Sequence, residues 1–573
     1  MRRALTVSAA VGAALALPAC AWAHAALLKT LPAASVVLNA PPTKVELTYS
    51  EAVEPRFAIV SVTDANATQL TSGAPRRSPA NPDELDVPVK HMPEGWYLVV
   101  WRVISVDGHP VRGAFTFAVG PNPGPAPQFL IPSLSETAAT PTLVASRWVV
   151  FLALLAALGL FVLRIAIARP LVARVQEAHL RAVSVAFGVA LAVALIATPV
   201  YTLLATAQFA LRSFWSFGAL VPLLRVSAFG RGYLDLELVL ALFGIAAAVA
   251  LWLDRPERGR RSVAALLALG GAGLAGGAAL VVPGAAGHAA QTSPRGLSLA
   301  LDGVHLAAAA VWIGGLIGLL VLWHSLPAAR RVEGLALCVP RFSNAAFVSV
   351  TALLATGIGA SVVHMPTLAS LWQTSYGQAI LVKSGLLLAA MAIAAVNLLH
   401  TRPRLAAATS APEPGVRAAV MLRRLVGGEV VLVSGAVLAA AVLSSLPPPP
   451  KALAALGHSS AHTGPGPVDH VANENGYRIE VQIAPNRAAA QNTFTARISR
   501  GGAATRGADV VATFTMLDME MPAQSVQLNE SSPGVYRHDS PTLVMVGHWG
   551  VSFEIRPRTG APFTVLIVDR AGG

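Results

Sequence analysis

The chain has 573 residues, of which 54% are hydrophobic and only 12% are charged, and its mean hydropathy is +0.60. A soluble protein carries about 25% charged residues, so this composition excludes a wholly soluble protein and predicts several membrane spans with soluble parts. The formal net charge of +13 does not indicate nucleic-acid binding, because the arginines lie between apolar segments rather than in a polar domain.

Residues 1–23 have the pattern of an export signal. Two arginines precede an apolar stretch that ends at Leu17, and Ala21-Trp22-Ala23 is typical of a cleavage site. Cleavage after Ala23 makes His24 the first residue of the mature chain, and its free α-amine and imidazole then offer two nitrogens to one metal ion. The alternative is lipidation at Cys20, which follows a poor lipoprotein-type motif and would leave His24 without a free amine.

A second pair of candidate ligands lies downstream, in the segment Val106-Asp107-Gly108-His109-Pro110. In an extended chain the side chains of Asp107 and His109 point to the same side. One amine, two imidazoles and one carboxylate suit tetragonal Cu(II). The alternative is a simple turn, since Asp-Gly and Pro favour turns. The pattern makes His24, Asp107 and His109 candidate Cu(II) ligands.

Residues 24–120 resemble the CopC family of periplasmic copper-binding proteins. The matching stretches are His24–Leu28, Leu47–Glu51 and Ser105–Gly113. The resemblance implies a small β-sandwich in which His24, Asp107 and His109 hold Cu(II). The second, methionine-rich Cu(I) site of some family members is not expected, because Met92 is the only methionine in this stretch.

Eight apolar segments are long enough to span a bilayer, which takes about 20 residues each. The predicted spans lie near 143–163, 182–205, 233–253, 263–283, 299–323, 343–363, 378–399 and 425–445. If the N-terminal domain is exported, the first span begins outside the cytoplasm. The inner loops then hold sixteen arginines, namely Arg164, Arg169, Arg174, Arg181, Arg255, Arg258, Arg260, Arg261, Arg330, Arg331, Arg341, Arg402, Arg404, Arg417, Arg423 and Arg424. The outer loops hold only four, namely Arg212, Arg225, Arg231 and Arg295. This bias follows the positive-inside rule. Because the number of spans is even, the C-terminal domain returns to the periplasm.

The membrane region resembles the CopD family of copper-transport membrane proteins. The matching pieces are Asp302–Leu306, Trp312–Gly315, Arg341–Ser343, Thr356-Gly357, Tyr376-Gly377, Lys383 and Asn397. A CopC-type domain ahead of a CopD-type domain is the arrangement of the YcnJ-like copper proteins. The resemblance implies that copper moves from the periplasm to the cytoplasm.

Polar side chains near the outer ends of the spans form a candidate copper path. Asp302 and His305 lie one turn apart on the same face of the fifth span. His288 precedes that span, and His364 and Met365 end the sixth at a similar depth. Polar groups inside a bilayer are costly and are often functional. Imidazole suits either copper state, and thioether favours Cu(I).

Other interpretations of these polar groups stay open. Histidines at span ends often only meet solvent at the interface. Two histidines on facing helices also hold haem b in some proteins, and either His305 with His364 or His324 with His400 loosely meets that requirement. Lys383 and Glu429 are charges inside predicted spans, and they are candidates either to pair with each other or to support helix packing.

The C-terminal part has a β pattern. Residues 447–475 read as a linker rich in proline and alanine with several histidines, and short strands follow from residue 477 onward. The predicted strands lie near 478–483, 493–498, 508–516, 535–538, 549–555 and 564–568. This spacing suggests an immunoglobulin-like sandwich. The stretches Met516–Pro522, Pro533–Tyr536 and Gly547–Trp549 resemble the YtkA-like periplasmic domains.

This domain holds a second candidate copper site. Met519 and Met521 alternate and would share one face of a strand, and Met545 and His548 follow later in the chain. Thioethers with an imidazole suit Cu(I). The alternative is that these methionines fill gaps in the core.

The sequence thus predicts a multidomain protein with an N-terminal all-β sandwich, an eight-helix transmembrane bundle and a C-terminal all-β sandwich. The segments are a signal peptide (1–23), a copper-binding domain (24–120), a linker (121–142), the membrane domain (143–446), a second linker (447–475) and the last domain (476–573).

The predicted function is capture of periplasmic Cu(II) and its inward transport through the inner membrane. The expected ligand is copper, and the expected partners are the lipid bilayer and periplasmic copper chaperones or cuproenzymes, with no nucleic acid and no enzymatic activity. A membrane-anchored copper buffer without transport is the alternative, and replacing His305 separates the two. A copper oxygenase is disfavoured, because Asp107 would occupy a coordination position.

Overall fold

The structure is a computed structural model, and some segments of the chain lie outside what it describes. The described residues are 27–34, 36–49, 52–104, 110–124, 127, 140–257, 260–285, 295–365, 367–407, 412–446, 460–461, 466–488, 490–517, 523–544 and 547–572. They divide into two compact units. One is helical and lies within 140–363 and 377–446, and the other is mainly β and lies within 27–127, 364–376 and 460–572.

The N-terminal part of the β unit is a sandwich of two four-stranded sheets. Its strands are β1 (Leu27–Leu31), β2 (Val37–Leu38), β3 (Lys44–Tyr49), β4 (Ile59–Asp64), β5 (Arg76–Arg77), β6 (Glu84–Pro88), β7 (Gly95–Ile104) and β8 (Pro110–Val119). One sheet has the order β1-β3-β6-β5 and the other β2-β8-β7-β4. Alternate residues of β3 point inward, and Tyr49 meets Trp101 of β7 edge to face at 5.6 Å. The predicted sandwich is confirmed.

The C-terminal part of the β unit is a single ten-stranded sheet. Its strands are β9 (Ser460–Ala461), β10 (Val468–Glu474), β11 (Tyr477–Ala484), β12 (Asn492–Arg500), β13 (Ala503–Ala504), β14 (Asp509–Met516), β15 (Gln524–Ser532), β16 (Val535–Ser540), β17 (Gly547–Arg556) and β18 (Phe563–Ala571). The order is β10-β11-β12-β16-β15-β14-β17-β18-β9, with β13 beside β12. The sheet curls into a sandwich that approaches a barrel, and all six predicted strands are present.

The strand β10 lies inside the stretch that the sequence predicts as a linker. It forms a hairpin with β11 in which Glu474 pairs with Tyr477. The two turn residues, Asn475 and Gly476, have φ angles of 52° and 79°. Asn-Gly is the preferred pair for such a two-residue turn, because both positions need a positive φ. This dipeptide was the available signal for the strand.

The helical unit contains eight helices that are long and apolar enough to cross a membrane, counted over the described residues. They are α1 (Pro141–Val162), α2 (Arg181–Phe209), α3 (Ala228–Leu253), α4 (Val263–Ala285), α5 (Arg295–Ser325), α6 (Arg331–His364), α7 (Ser375–Val396) and α8 (Pro412–Leu443). The predicted number of spans is confirmed. Several helices are longer than the predicted spans, and α6 begins twelve residues before its span at 343.

The helices α1 and α5 cross in close contact at the centre of this unit. A Cβ atom at Gly314 would overlap the backbone of Gly159, and one at Gly159 would overlap the carbonyl of Ala310. Neighbouring Gly315 lies directly under the ring of Phe342 on α6. Small residues allow membrane helices to approach this closely. The Trp312–Gly315 motif therefore has a packing role in this fold.

We expect Gly314→Ala to destabilise the membrane domain, because its methyl group would push α1 away from α5. Overpacking of a core typically costs about 1–3 kcal/mol. Thermal unfolding in detergent, followed by circular dichroism, measures the effect. Gly385→Ala on the exposed helix α7 is the matched control, because an added Cβ there meets nothing within 4 Å. Equal unfolding temperatures for the two variants would contradict this account of the crossing.

A carboxylate at one end of the unit joins three arginines. Asp254 directly follows α3, and its side chain is fully buried. Its oxygens lie 3.3 Å from Arg164 Nη1, 3.1 Å from Arg169 Nε and 3.2 Å from Arg261 Nε. Burial raises the pKa of Asp254, but the hydrogen bonds from Arg169 and Arg261 outweigh it and hold the pKa below its usual value. The segment after α1, which carries Arg164 and Arg169, and the loop after α3, which carries Arg261, therefore meet at the same end of the unit.

Asp254→Ala should lower the stability of the membrane domain by about 3–5 kcal/mol, since it leaves buried guanidinium groups without their carboxylate. The wild-type domain should also lose stability in acid. The unfolded carboxyl takes up its proton at a higher pH than the folded one, so the contribution of Asp254 disappears as the pH falls through its lowered folded-state pKa. Unfolding temperatures over a pH series test both points, with exposed Asp235→Ala as the control.

Candidate functional site

Several predicted site residues lie outside the described part of the chain. These are His24, Asp107, His109, His288, Met519, Met521 and Met545. The described ones are Asp302 and His305 on α5, His364 as the last residue of α6, Met365 directly after it, and His548 on β17. The structure thus gives a side-chain environment for the centre of the predicted membrane path and only the surroundings of the predicted Cu(II) site.

His305 lies inside the helical unit and is held by α6. Its Nδ1 lies 2.8 Å from Thr356 Oγ1. The imidazole passes beside Gly357, where an added Cβ would lie 3.8 Å from His305 Cε1. The Thr356-Gly357 motif therefore supplies one hydrogen-bonding group and one space for the ring.

The hydrogen bonds of Thr356 determine which nitrogen of His305 is available. The single hydroxyl proton of Thr356 is directed at the carbonyl of Ala352, at 2.7 Å. The hydroxyl oxygen then accepts a hydrogen bond from the Nδ1–H group of His305. This tautomer leaves the lone pair on Nε2. A ring nitrogen held by such a partner is the usual arrangement for a metal-binding histidine, because the partner orients the ring.

A lysine of α7 completes the polar group. Lys383 interacts electrostatically with both Asp302 and His305. Carboxylate, imidazole and ammonium from α5 and α7 thus share one region of the unit, with Thr356 of α6 beside it. The possible pair of Lys383 with Glu429 is not formed in the structure, because Glu429 accepts a hydrogen bond from Asn397 instead.

The strands that flank the predicted Cu(II) site are described. Ile104 at the end of β7 pairs with Pro110 at the start of β8, so residues 105–109 connect these two strands. Leu27, the first residue of β1, and Trp101 of β7 line the same cavity of about 220 Å³. The start of β1 and Trp101, three residues before the end of β7, therefore border the same cavity.

His548 lies half-buried at the start of β17. Its carbonyl accepts a 2.8 Å hydrogen bond from the backbone N–H of Leu517. In register, Met516 pairs with Trp549. The backbone that leads into residues 518–522 therefore runs beside His548.

One buried polar group had no role in the sequence interpretation. Arg147 of α1 donates to the Tyr201 hydroxyl at 2.9 Å and to the Ser444 hydroxyl at 2.9 Å. It joins α1, α2 and the end of α8. An arginine within an apolar segment was the available signal, because such a charge needs internal partners.

Family models match three separate parts of the chain. They are described as CopC domain over residues 27–120, copper resistance protein D over 336–443 and YtkA-like over 471–554. The chain is a CopC–CopD fusion protein with a C-terminal YtkA-like domain. The copper resistance protein D match begins within α6, so it contains Thr356 and Lys383, whereas Asp302 and His305 precede it.

The fusion protein is similar to known copper proteins and to a crystal structure. The copper transport protein CutJ of Bacillus subtilis (strain 168) is 25% identical over 553 residues, which cover 93% of each chain. Copper resistance protein C of Escherichia coli is 32% identical over 106 residues, 17% of this chain and 83% of that protein. The crystal structure of CopC from Methylosinus trichosporium OB3b is 29% identical, covers 18% of this chain and 99% of that chain, and has a TM-score of 0.17. With its eight membrane-capable helices, the fusion is a membrane protein.

Proposed function

We propose that this fusion protein captures Cu(II) in the periplasm and moves copper inward across the inner membrane. The observation that carries the proposal is the similarity to a copper transport protein over 93% of both chains. Both β domains lie in the periplasm in this proposal. The bias of arginines toward the predicted inner loops supports that orientation.

Capture is assigned to His24, Asp107 and His109, which bind Cu(II) through the terminal amine, two imidazoles and a carboxylate. The cavity shared by Leu27 and Trp101 supports this assignment, because His24 lies three residues before Leu27 and Asp107 six residues after Trp101.

Passage is assigned to the group around His305. Its Nε2 carries the lone pair, and Thr356 orients the ring toward a single position. Asp302 supplies a negative charge one turn away on the same helix, which favours a cation. The interaction of Lys383 with Asp302 balances that charge when no copper is bound. His288, His364 and Met365 are proposed to extend the path at its outer side.

The C-terminal domain is proposed to hold Cu(I) through Met519, Met521, Met545 and His548. The hydrogen bond between Leu517 and His548 supports this set, because it brings the backbone before residue 518 to His548. Thioethers bind Cu(I) better than Cu(II). This domain would therefore take copper in a different oxidation state from the N-terminal site.

The test is copper uptake by vesicles that contain the full chain, compared with the His305→Ala variant. A transporter loses uptake in the variant and keeps Cu(II) binding at its N-terminal domain. A copper buffer without transport activity shows no uptake in either protein.

A further inference from the structure

The segment after α7 is a π turn at Asn397–Thr401. Such turns within helices are rare and are found frequently at functional sites. Asn397 faces α8, where its Nδ2 donates a 2.5 Å hydrogen bond to Glu429 Oε1. This contact lies apart from the group around His305, since Asn397 follows Lys383 by fourteen residues along the helical segment.

Glu429 is a buried carboxyl in the eighth membrane-capable helix, and only 2% of it is exposed. Within the described chain its one polar partner is the neutral amide of Asn397. A carboxylate without a counter-ion is costly to bury, and such a group takes up a proton instead.

The charged and titratable side chains on the elements around Glu429 do not pair with it within the described ranges. They are Arg147 on α1; Arg295, Asp302, His305 and His324 on α5; Tyr376 and Lys383 on α7; His400, Arg402 and Arg404 around the π turn; and Arg417, Arg423 and Arg424 on α8. The hydrogen bonds of the Asn397 amide therefore determine whether the protonated or the ionised form of Glu429 is favoured.

The hydrogen bonds of Asn397 favour the protonated form. Its Oδ1 is buried and has no partner among the described residues. A carboxylic acid and a primary amide make two reciprocal hydrogen bonds, from N–H to the acid carbonyl and from the acid O–H to the amide carbonyl. A protonated Glu429 supplies the O–H donor that Oδ1 lacks, whereas a carboxylate would offer it only another acceptor.

We propose that Glu429 and Asn397 form an acid–amide pair that binds and releases a proton within the membrane domain, and that this step is coupled to copper passage. On release, the proton passes to water and Glu429 becomes a carboxylate. The bond from the acid O–H to Asn397 Oδ1 is lost and the bond from Nδ2 remains, so the π turn is held to α8 by one bond instead of two. The coupling rests on the proposed copper transport, whereas proton binding does not.

Infrared spectroscopy of the full chain in lipid bilayers tests the proton site. We expect a C=O band of a protonated carboxylic acid at neutral pH that is lost as the pH is raised. Glu429→Gln should remove it, and the control Glu333→Gln, at an exposed carboxyl, should leave it. Asn397→Leu should keep the band but shift its frequency, because the acid carbonyl loses its N–H donor. A wild-type spectrum without a titrating band overturns the proposal even where the variants fail to fold.

Vesicles that contain the full chain, loaded with copper on one side, test the coupling. A pH gradient across the membrane should change the copper flux of the wild type several-fold, and Glu429→Gln should remove that dependence. Equal gradient dependence in both proteins overturns the coupling and leaves copper transport in place. A wild type that moves no copper contradicts the proposed transport and with it the coupling, while the infrared result still decides the proton site.

Discussion

One extra residue ahead of His24 should lower the Cu(II) affinity of the N-terminal domain by more than about 100-fold. The extension converts the terminal amine into an amide and removes one of the proposed ligands, together with the chelate that the amine forms with the imidazole. Loss of an outer-shell partner alone typically costs 10–100-fold in metal affinity, so loss of a direct ligand should exceed that range.

The isolated domain 24–120 is suited to this measurement. The match to copper resistance protein C of Escherichia coli takes up 17% of this chain but 83% of that protein, so that protein is little longer than this domain. Electron paramagnetic resonance should show nitrogen-rich tetragonal Cu(II) with the native terminus and a spectrum with fewer nitrogens in the extended form. His91→Ala, at an exposed histidine of the same domain, is the matched control and should bind as the wild type does. Identical spectra for the native and extended domains would rule out the terminal amine as a ligand.

His305→Ala should reduce copper uptake to the background of empty vesicles. The variant removes the Nε2 atom, whose lone pair is the proposed copper ligand, and it leaves Asp302 and Lys383 in place. Thr356→Val should have a smaller effect, because it removes only the partner that orients the ring. Its apparent copper affinity should fall by about 10–100-fold, with the maximal rate less affected.

Uptake by full-length protein in vesicles, measured over a range of copper concentrations, separates these effects. His179→Ala provides the control, since this histidine is exposed between α1 and α2. Cu(II) binding to the N-terminal domain should be the same in all variants. Full uptake by His305→Ala would contradict the role of His305, and the path would then have to be sought elsewhere in the helical unit.

The eight membrane helices and six of the ten C-terminal strands follow from local patterns in the sequence. Each membrane helix is a long apolar run that satisfies its own backbone hydrogen bonds, so it can be predicted without its neighbours. Strands such as β3 alternate inward and outward residues, and the same period is visible in the sequence. The hairpin that contains β10 was missed, although its Asn475-Gly476 turn is a local signal as well.

The partners of the polar side chains depend on the tertiary structure. Asp302 and His305 share a face of α5 by helical spacing alone, but Thr356, 51 residues further along the chain, is brought to His305 only by the packing of α6. Likewise, Asp254 meets Arg164 across 90 residues, and Glu429 meets Asn397 rather than Lys383.

The sequence by itself therefore determined the eight apolar helices and the β nature of the two terminal domains, and it supplied the candidate copper ligands. The tertiary structure decided which nitrogen of His305 is available and which partner each buried charge has. The physical reason is that periodicity specifies the face on which a side chain lies, whereas the neighbour on that face is set by close contacts such as Gly159 with Gly314.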